Sequence, residues 1–145
     1  MRFSDGFTLL EVFLVLCLLA IIFAIGVPLV FTFYLDSELV TEKDNLVTIL
    51  QRARNLAMTG EGANSHGVYF DTDKYVVFEG DDYSNRVQAY DHDFSRPGLV
   101  EVTGPSEIVF ETLSGRTTSS SFNLDNGRKS LDINVNMEGV INWSI

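Results

Sequence analysis

The sequence predicts an α+β protein in which one long N-terminal helix, a transmembrane spine, packs on a C-terminal antiparallel β-sheet domain. Three observations support this: an uncharged apolar run at residues 12–35, a helix-periodic stripe after it, and alternating apolar residues beyond residue 62. The length of 145 residues allows one compact domain. The predicted parts are a leader at 1–6, an apolar half-helix at 7–35, an amphipathic half-helix at 36–60 and a β-rich domain at 61–145.

The apolar run is long enough to cross a membrane. Its 24 residues would extend roughly 36 Å as a helix, and a hydrocarbon core is ~30 Å thick. A secretory signal has a shorter apolar core and a small-residue cleavage site, whereas this run ends in an aromatic cluster at residues 31–35. Arg2 favours an N-terminus on the cytoplasmic side, which would place the domain outside. An ordinary single-span anchor also fits these features.

Two residues distinguish this run from a plain anchor. Glu11 stands at its start, where a carboxylate costs at least a few kcal/mol in a bilayer unless it is paired or near the interface. The alternative is a solvated acid in the first helical turn, favoured by the helix dipole. Pro28, which follows Gly26 by two residues, removes a backbone hydrogen bond and commonly bends a helix, although transmembrane helices tolerate this.

The heptad at residues 6–12, GFTLLEV, resembles the processing motif of type IV pilins and type II secretion pseudopilins. In that motif a leader ends in Gly and is followed by Phe, a small or hydroxyl residue, two aliphatic residues and Glu. Many members also carry a proline at the position of Pro28. The resemblance implies cleavage between Gly6 and Phe7 by a prepilin peptidase, N-methylation of Phe7, and assembly through Glu11. The new Phe7 amine would pair with Glu11 of a neighbouring subunit, so that a mis-spaced subunit leaves two unpaired charges.

The helical period continues beyond the apolar run. Five apolar residues share one face of the predicted helix: Leu39, Leu46, Leu50, Ala53 and Ala57. The charged residues between positions 36 and 44 are expected mostly off that face. Gly60 and Gly62 end the pattern, and glycine can form a left-handed cap. We therefore predict one helix from about Phe7 to Thr59, whose second half packs on the domain.

Beyond Gly62 the apolar period changes to two, which predicts strands. The predicted strands lie at residues 68–70, 75–78, 131–137 and 140–145, with weaker ones near 86–90, 99–102 and 107–110. The first two form a hairpin, and the strands at 131–137 and 140–145 form another around Gly139. The segment 114–121 is expected to be a polar loop.

A helical spine followed only by strands resembles the GspH/FimT family of minor pilins and pseudopilins. The matching stretches are residues 50–57, residues 66–70, residues 108–110 with Gly115, and the strand pair around Gly139. Cys17 is the only cysteine, so the chain lacks the disulfide of many major pilins, which favours a minor subunit over the alternative of a major pilin. The resemblance implies three partners: other pilin or pseudopilin subunits, the prepilin peptidase/methyltransferase, and the inner membrane.

The charge balance bears on nucleic acid. Beyond Leu35 the chain has 18 acidic and 9 basic side chains, and an acidic domain repels phosphate backbones. FimT-type minor pilins bind DNA through a basic C-terminal segment, so a DNA-binding minor pilin for natural transformation is the second hypothesis. Its candidate segment is Gly127, Arg128 and Lys129, for which a hairpin turn with solvated charges is the simpler interpretation.

The sequence contains no catalytic pattern that we recognise. Acidic clusters at residues 71–73, 79–82 and 91–93 offer oxygen ligands for calcium, but none has EF-hand spacing, and acids in turns are the simpler interpretation. His92 is one of two histidines, and with Cys17 alone there is no Cys/His set for zinc. No serine lies in a nucleophile-elbow pattern. We therefore predict a structural subunit that is not an enzyme and needs no cofactor.

Overall fold

The computed structural model describes residues 7–96 and 98–144 and confirms the α+β class. One long helix, α1 (Leu9–Thr59), precedes all of the strands in these residues. The strands are β1 (His66–Phe70), β2 (Lys74–Glu79), β3 (His92–Ser95), β4 (Glu101–Thr103), β5 (Glu107–Phe110), β6 (Ser120–Asp125), β7 (Ser130–Val135) and β8 (Ile141–Ser144). The chain divides into two compact units at the bond between Leu35 and Asp36.

The second unit combines the end of α1 with two antiparallel sheets. The first sheet has the strand order β3-β2-β1-β5, and the second has the order β4-β6-β7-β8. The predicted stripe on α1 is confirmed, because all five of its residues are buried in one core with side chains from both sheets. Gly60 then leaves the helix with a φ of 68°, the left-handed conformation expected there.

Glu42 does not follow the expectation that the charged residues lie off the buried face. It is fully buried, since it follows Leu39 by three residues and precedes Leu46 by four. Those are the spacings that place side chains on one face of a helix. Its burial was not predicted because charged residues are usually exposed to solvent.

The predicted strand at residues 86–90 is wrong. This segment ends in a 3-10 turn, Gln88–Tyr90, and the next strand is β3. The turn is held by Arg86, whose guanidinium lies 3.7 Å from the centre of the Tyr83 ring and whose Nε is 2.8 Å from Asp91 Oδ2. Tyr83 in turn stacks on Tyr69 of β1 with ring centres 3.7 Å apart. These contacts fold the segment back over the first sheet, so it does not extend as a strand.

The second sheet also departs from the prediction. β6 was not predicted, and its first two residues fall in the segment expected to be loop. It lies between β4 and β7 and pairs with β7 through six residues. The predicted strands at 131–137 and 140–145 correspond to β7 and β8, and Gly139 turns between them with a φ of 74°. The strand expected at 99–102 begins later, as β4, whereas β5 matches the expected 107–110.

Candidate functional site: the apolar half of α1

A side-chain cap closes the first turn of α1. The backbone N–H of Glu11 donates a hydrogen bond to Thr8 Oγ1 at 3.2 Å, and the Val12 N–H donates to the Thr8 carbonyl, also at 3.2 Å. Thr8 is thus the N-cap and Glu11 the third helical residue, the Thr-x-x-Glu spacing of a capping box. The cap satisfies a backbone donor that an apolar environment would leave unpaired. In the sequence Thr8 was recognised only as part of a motif, and its role as a cap was not predicted.

Glu11 is exposed on this first turn. With Phe7, Val12 and Val15 it borders a shallow apolar groove. The amino end of a helix favours a negative charge there. Residues 7–35 contain no lysine, arginine or histidine, so no side chain of this segment can neutralise Glu11. The site therefore presents one carboxylate, and residues 7–35 provide no basic side chain that could pair with it.

Beyond Glu11 the helix exposes large apolar side chains all round its axis. Consecutive residues show this, since Ile21, Ile22 and Phe23 are 57%, 64% and 64% exposed. α1 is long and apolar enough at its N-terminal end to span a membrane. A soluble helix would bury one such stripe against a core, whereas this one buries none in its own unit. Its surface therefore requires lipid or other protein around it.

Gly26 opens a notch in this apolar surface. No heavy atom lies within 4 Å of the place where a Cβ would stand, and Ile22, Phe23 and Val30 border the groove. A small residue at such a point allows another helix to approach closely. α1 is continuous through Pro28, although the Pro28 side chain lies outside the described residues. Gly6, on the leader side of the predicted cleavage, also lies outside them.

The second unit contains a polar cleft of about 390 Å³, bordered by the C-terminal end of α1 and by β1 and β2. Two of the residues that line it, His66 and Glu79, are cross-strand partners and only 5% and 6% exposed. Asn64 Nδ2 donates to Glu79 Oε1 at 2.7 Å, and His66 Nδ1 has no partner among the described residues. Glu61, Tyr90 and His92 also border the cleft, so it presents several acid–base groups.

The acidic clusters form local contacts. Asp82 accepts hydrogen bonds from the side-chain amide and the backbone N–H of Asn85, which lower the pKa of Asp82. Asp93 accepts from Lys74 Nζ at 2.8 Å, and this bond raises the pKa of Lys74. In residues 7–96 and 98–144 no three His, Cys, Asp or Glu side chains are arranged to hold a metal ion.

The basic segment at residues 127–129 is the turn between β6 and β7. Asn126 Oδ1 accepts the backbone N–H groups of Arg128 and Lys129 at 3.0 and 2.8 Å, and Gly127 has a φ of 79°. Arg128 is exposed, as expected for a solvated turn charge. Lys129 differs from that expectation, because its Nζ lies 2.9 Å from Asp36 Oδ2 on α1.

Comparisons of the chain with protein-family models, with characterised proteins and with solved structures gave no significant match. The fold itself defines a protein with one long apolar N-terminal helix followed by antiparallel sheets. That architecture is compatible with the architecture of pilins.

Proposed function

We propose that this chain is a structural subunit, more specifically a minor one, of a type IV pilus or a type II secretion pseudopilus. It waits in the inner membrane with its β domain outside, is cleaved between Gly6 and Phe7, and is N-methylated at Phe7. It then enters a filament through its N-terminal helix. The observation that carries the proposal is the single carboxylate of Glu11 at the capped start of an exposed, otherwise uncharged apolar helix.

The exposed apolar surface of the helix suits a subunit that moves from lipid into a bundle of helices during assembly. Lipid satisfies apolar side chains on every side of a helix, and so does a bundle of similar helices. Exposure around the whole axis suits both states, whereas one apolar stripe would suit neither. The notch at Gly26 lets a neighbouring helix pack closely in the second state.

Glu11 supports the proposal because its negative charge needs a counter-ion in an apolar environment. Cleavage after Gly6 would create a positive amine at Phe7, and an apolar bundle would bury both this amine and the carboxylate. Each ion alone is costly there, whereas a pair formed between adjacent subunits offsets much of that cost. Because residues 7–35 contain no basic side chain, the amine is the charge best placed to neutralise Glu11. The pair then fixes the axial spacing of the subunits.

A DNA-binding minor pilin has weaker support. Its candidate segment contributes Arg128 and Lys129, and the Lys129 ammonium is already bonded to Asp36. The acidic balance of the domain opposes contact with a phosphate backbone. A major pilin would share the helix and its carboxylate, and the single cysteine is what favours the minor subunit.

The experiment compares Glu11→Gln with Asp44→Asn, a matched control that removes an exposed carboxylate from the same helix outside the apolar run. Both full-length variants are expressed in cells that build the filament, and their amounts are measured in membranes and in sheared filaments. Glu11→Gln should keep normal membrane levels and near-normal cleavage but enter filaments poorly. The reason is that the buried amine would lack its counter-ion, at a cost of about 3–5 kcal/mol.

Asp44→Asn should assemble like the wild type. If Glu11→Gln also assembles as efficiently as the wild type, Glu11 is only an acid at a helix start and the spacing argument is wrong. A partial defect would indicate a subunit that lacks a neighbour on one side, as at the filament tip.

A further inference from the structure

The β6–β7 turn contacts α1 at the first residue after the apolar run. Asp36, which bonds to Lys129 Nζ at 2.9 Å, directly follows Leu35, the last of the 24 uncharged residues. The hydrogen bond from Lys129 lowers the pKa of Asp36, and the nearby charge of Arg128 lowers it further. Whenever residues 12–35 span a membrane, this contact holds the turn beside the point where the chain leaves the lipid.

The turn presents its basic side chains from a fixed backbone. Asn126 Oδ1 accepts two backbone N–H groups of the turn, and Gly127 supplies the positive φ that closes it. No heavy atom lies within 4 Å of the place where a Cβ would stand at Gly127, so no described side chain covers this point of the tip. The Arg128 side chain is exposed, and the Lys129 side chain is 55% exposed despite its bond to Asp36.

The turn carries two basic side chains, Arg128 and Lys129, and one carboxylate at its base, Asp125, whose Oδ1 accepts the Gly127 N–H. Lys129 is neutralised by Asp36, whereas Arg128 has no carboxylate within ion-pair distance among residues 7–96 and 98–144. One basic side chain near an anionic lipid surface shifts a binding equilibrium about fivefold. That is too little to capture a ligand from solution. It is enough for a group that a membrane anchor already holds at the surface, because the encounter is then intramolecular.

We propose that the β6–β7 tip docks on the membrane surface, with the Arg128 guanidinium bound to the phosphates of anionic lipid headgroups and Lys129 beside it. The docked tip sets the orientation of the β domain while the subunit waits in the membrane, and it is released when the subunit leaves the lipid. This inference rests on the membrane insertion in the proposed function.

The test places a nitroxide label at Ser130→Cys in the full chain, with Cys17→Ser removing the native thiol. Ser130 is exposed and adjoins the tip. The protein is reconstituted into bilayers of phosphatidylcholine, with and without phosphatidylglycerol, and the accessibility of the label to a water-soluble paramagnetic relaxant is measured. Adding phosphatidylglycerol should protect the label, with the ratio of docked to undocked tips rising about fivefold.

Arg128→Gln should remove this response, while Arg116→Gln should retain it. Arg116 is another exposed arginine and adjoins Gly115, which packs on Met58 near the far end of α1. Along the helix, Met58 is roughly 33 Å from Asp36. No response in the wild-type background, or an unchanged response in Arg128→Gln, would overturn the docking.

Two further outcomes separate this inference from its premise. A chain that stays in bilayers through an alkaline carbonate wash but shows no lipid response refutes the docking alone and leaves the filament proposal standing. A chain that the wash removes refutes the membrane premise of both.

In a parallel arm, a short DNA duplex is added to phosphatidylcholine bilayers. Protection by DNA without protection by phosphatidylglycerol would assign the tip to nucleic acid and overturn the inference.

Discussion

The hydroxyl of Tyr75 on β2 donates a hydrogen bond to Glu42 Oε1 on α1, and both side chains are fully buried. Burial raises the pKa of Tyr75, and the bond to Glu42 raises it further, so this hydroxyl remains a donor throughout the physiological range. Glu42 Oε2 has no partner among the described residues. The pair therefore links α1 to the first sheet through this one hydrogen bond. No other hydrogen bond to the Glu42 carboxyl group is present among the described residues.

Tyr75→Phe should destabilise the domain by about 1–3 kcal/mol, because it leaves a buried carboxyl group without its donor. The measurement is urea unfolding of residues 36–145, which form a compact unit with their own core, followed by circular dichroism. Replacing both partners, as Glu42→Leu with Tyr75→Phe, should cost less than Tyr75→Phe alone.

Tyr69→Phe is the matched control, since no hydrogen bond of the half-buried Tyr69 hydroxyl is present among the described residues. It should change the free energy of unfolding by less than about 0.5 kcal/mol. An equal effect of Tyr69→Phe and Tyr75→Phe would contradict the importance of the buried bond.

Gly139→Ala should be much more harmful than Gly127→Ala, although both glycines have a similar positive φ, 74° and 79°. The left-handed backbone alone costs a non-glycine residue about 1–2 kcal/mol, and Gly127→Ala should lose no more than this. At Gly139 a Cβ would also stand 2.2 Å from the Gly115 carbonyl oxygen and 2.7 Å from Arg54 Nε. Unfolding curves of the two variants measure the difference, and equal losses would show that the close packing at Gly139 relaxes freely.

The Asp36–Lys129 contact predicts a pH dependence. Because the pKa of Asp36 is lowered in the folded state, its contribution to stability is complete above the unfolded value of about 3.9 and disappears as the pH falls through the folded pKa. Lys129→Met should raise the pKa of Asp36 towards its ordinary value. A carbon-13 NMR titration of the Asp36 carboxyl in the full chain in micelles measures this shift.

Lys74→Met is the control for the titration, because Lys74 bonds to Asp93 and should leave the pKa of Asp36 unchanged. If Asp36 titrates identically with and without Lys129, the contact between the hairpin turn and α1 does not persist in solution.

Sequence periodicity predicted the elements whose side chains alternate clearly. The α1 stripe and the strands β1, β2, β5, β7 and β8 follow directly from that pattern. β6 escaped detection because only Phe122 and Leu124 are apolar in it, and its place in the sheet depends on pairing with β7. The segment before β3 failed for the opposite reason, since its residues alternate but the contacts of Arg86 hold it in a turn.

The candidate site was largely readable from the sequence because it depends on local order along one helix. The positions of Glu11 and the apolar run need no tertiary information. The Thr8 cap could have been found from the Thr-x-x-Glu spacing. The Asp36–Lys129 contact joins residues 93 positions apart, and no local pattern encodes it. Glu42 was missed because periodicity assigns faces, whereas its partner Tyr75 comes from a distant strand.

The central claim is that this chain is a processed filament subunit, and the N-terminus of the protein within filaments tests it most directly. Filaments or pseudopili are sheared from producing cells, and this chain is analysed by intact-mass and peptide mass spectrometry. We expect a chain that begins at N-methylated Phe7, and Gly6→Val should block that cleavage. A chain that still begins at Met1, in cells with an active prepilin peptidase, would contradict the account.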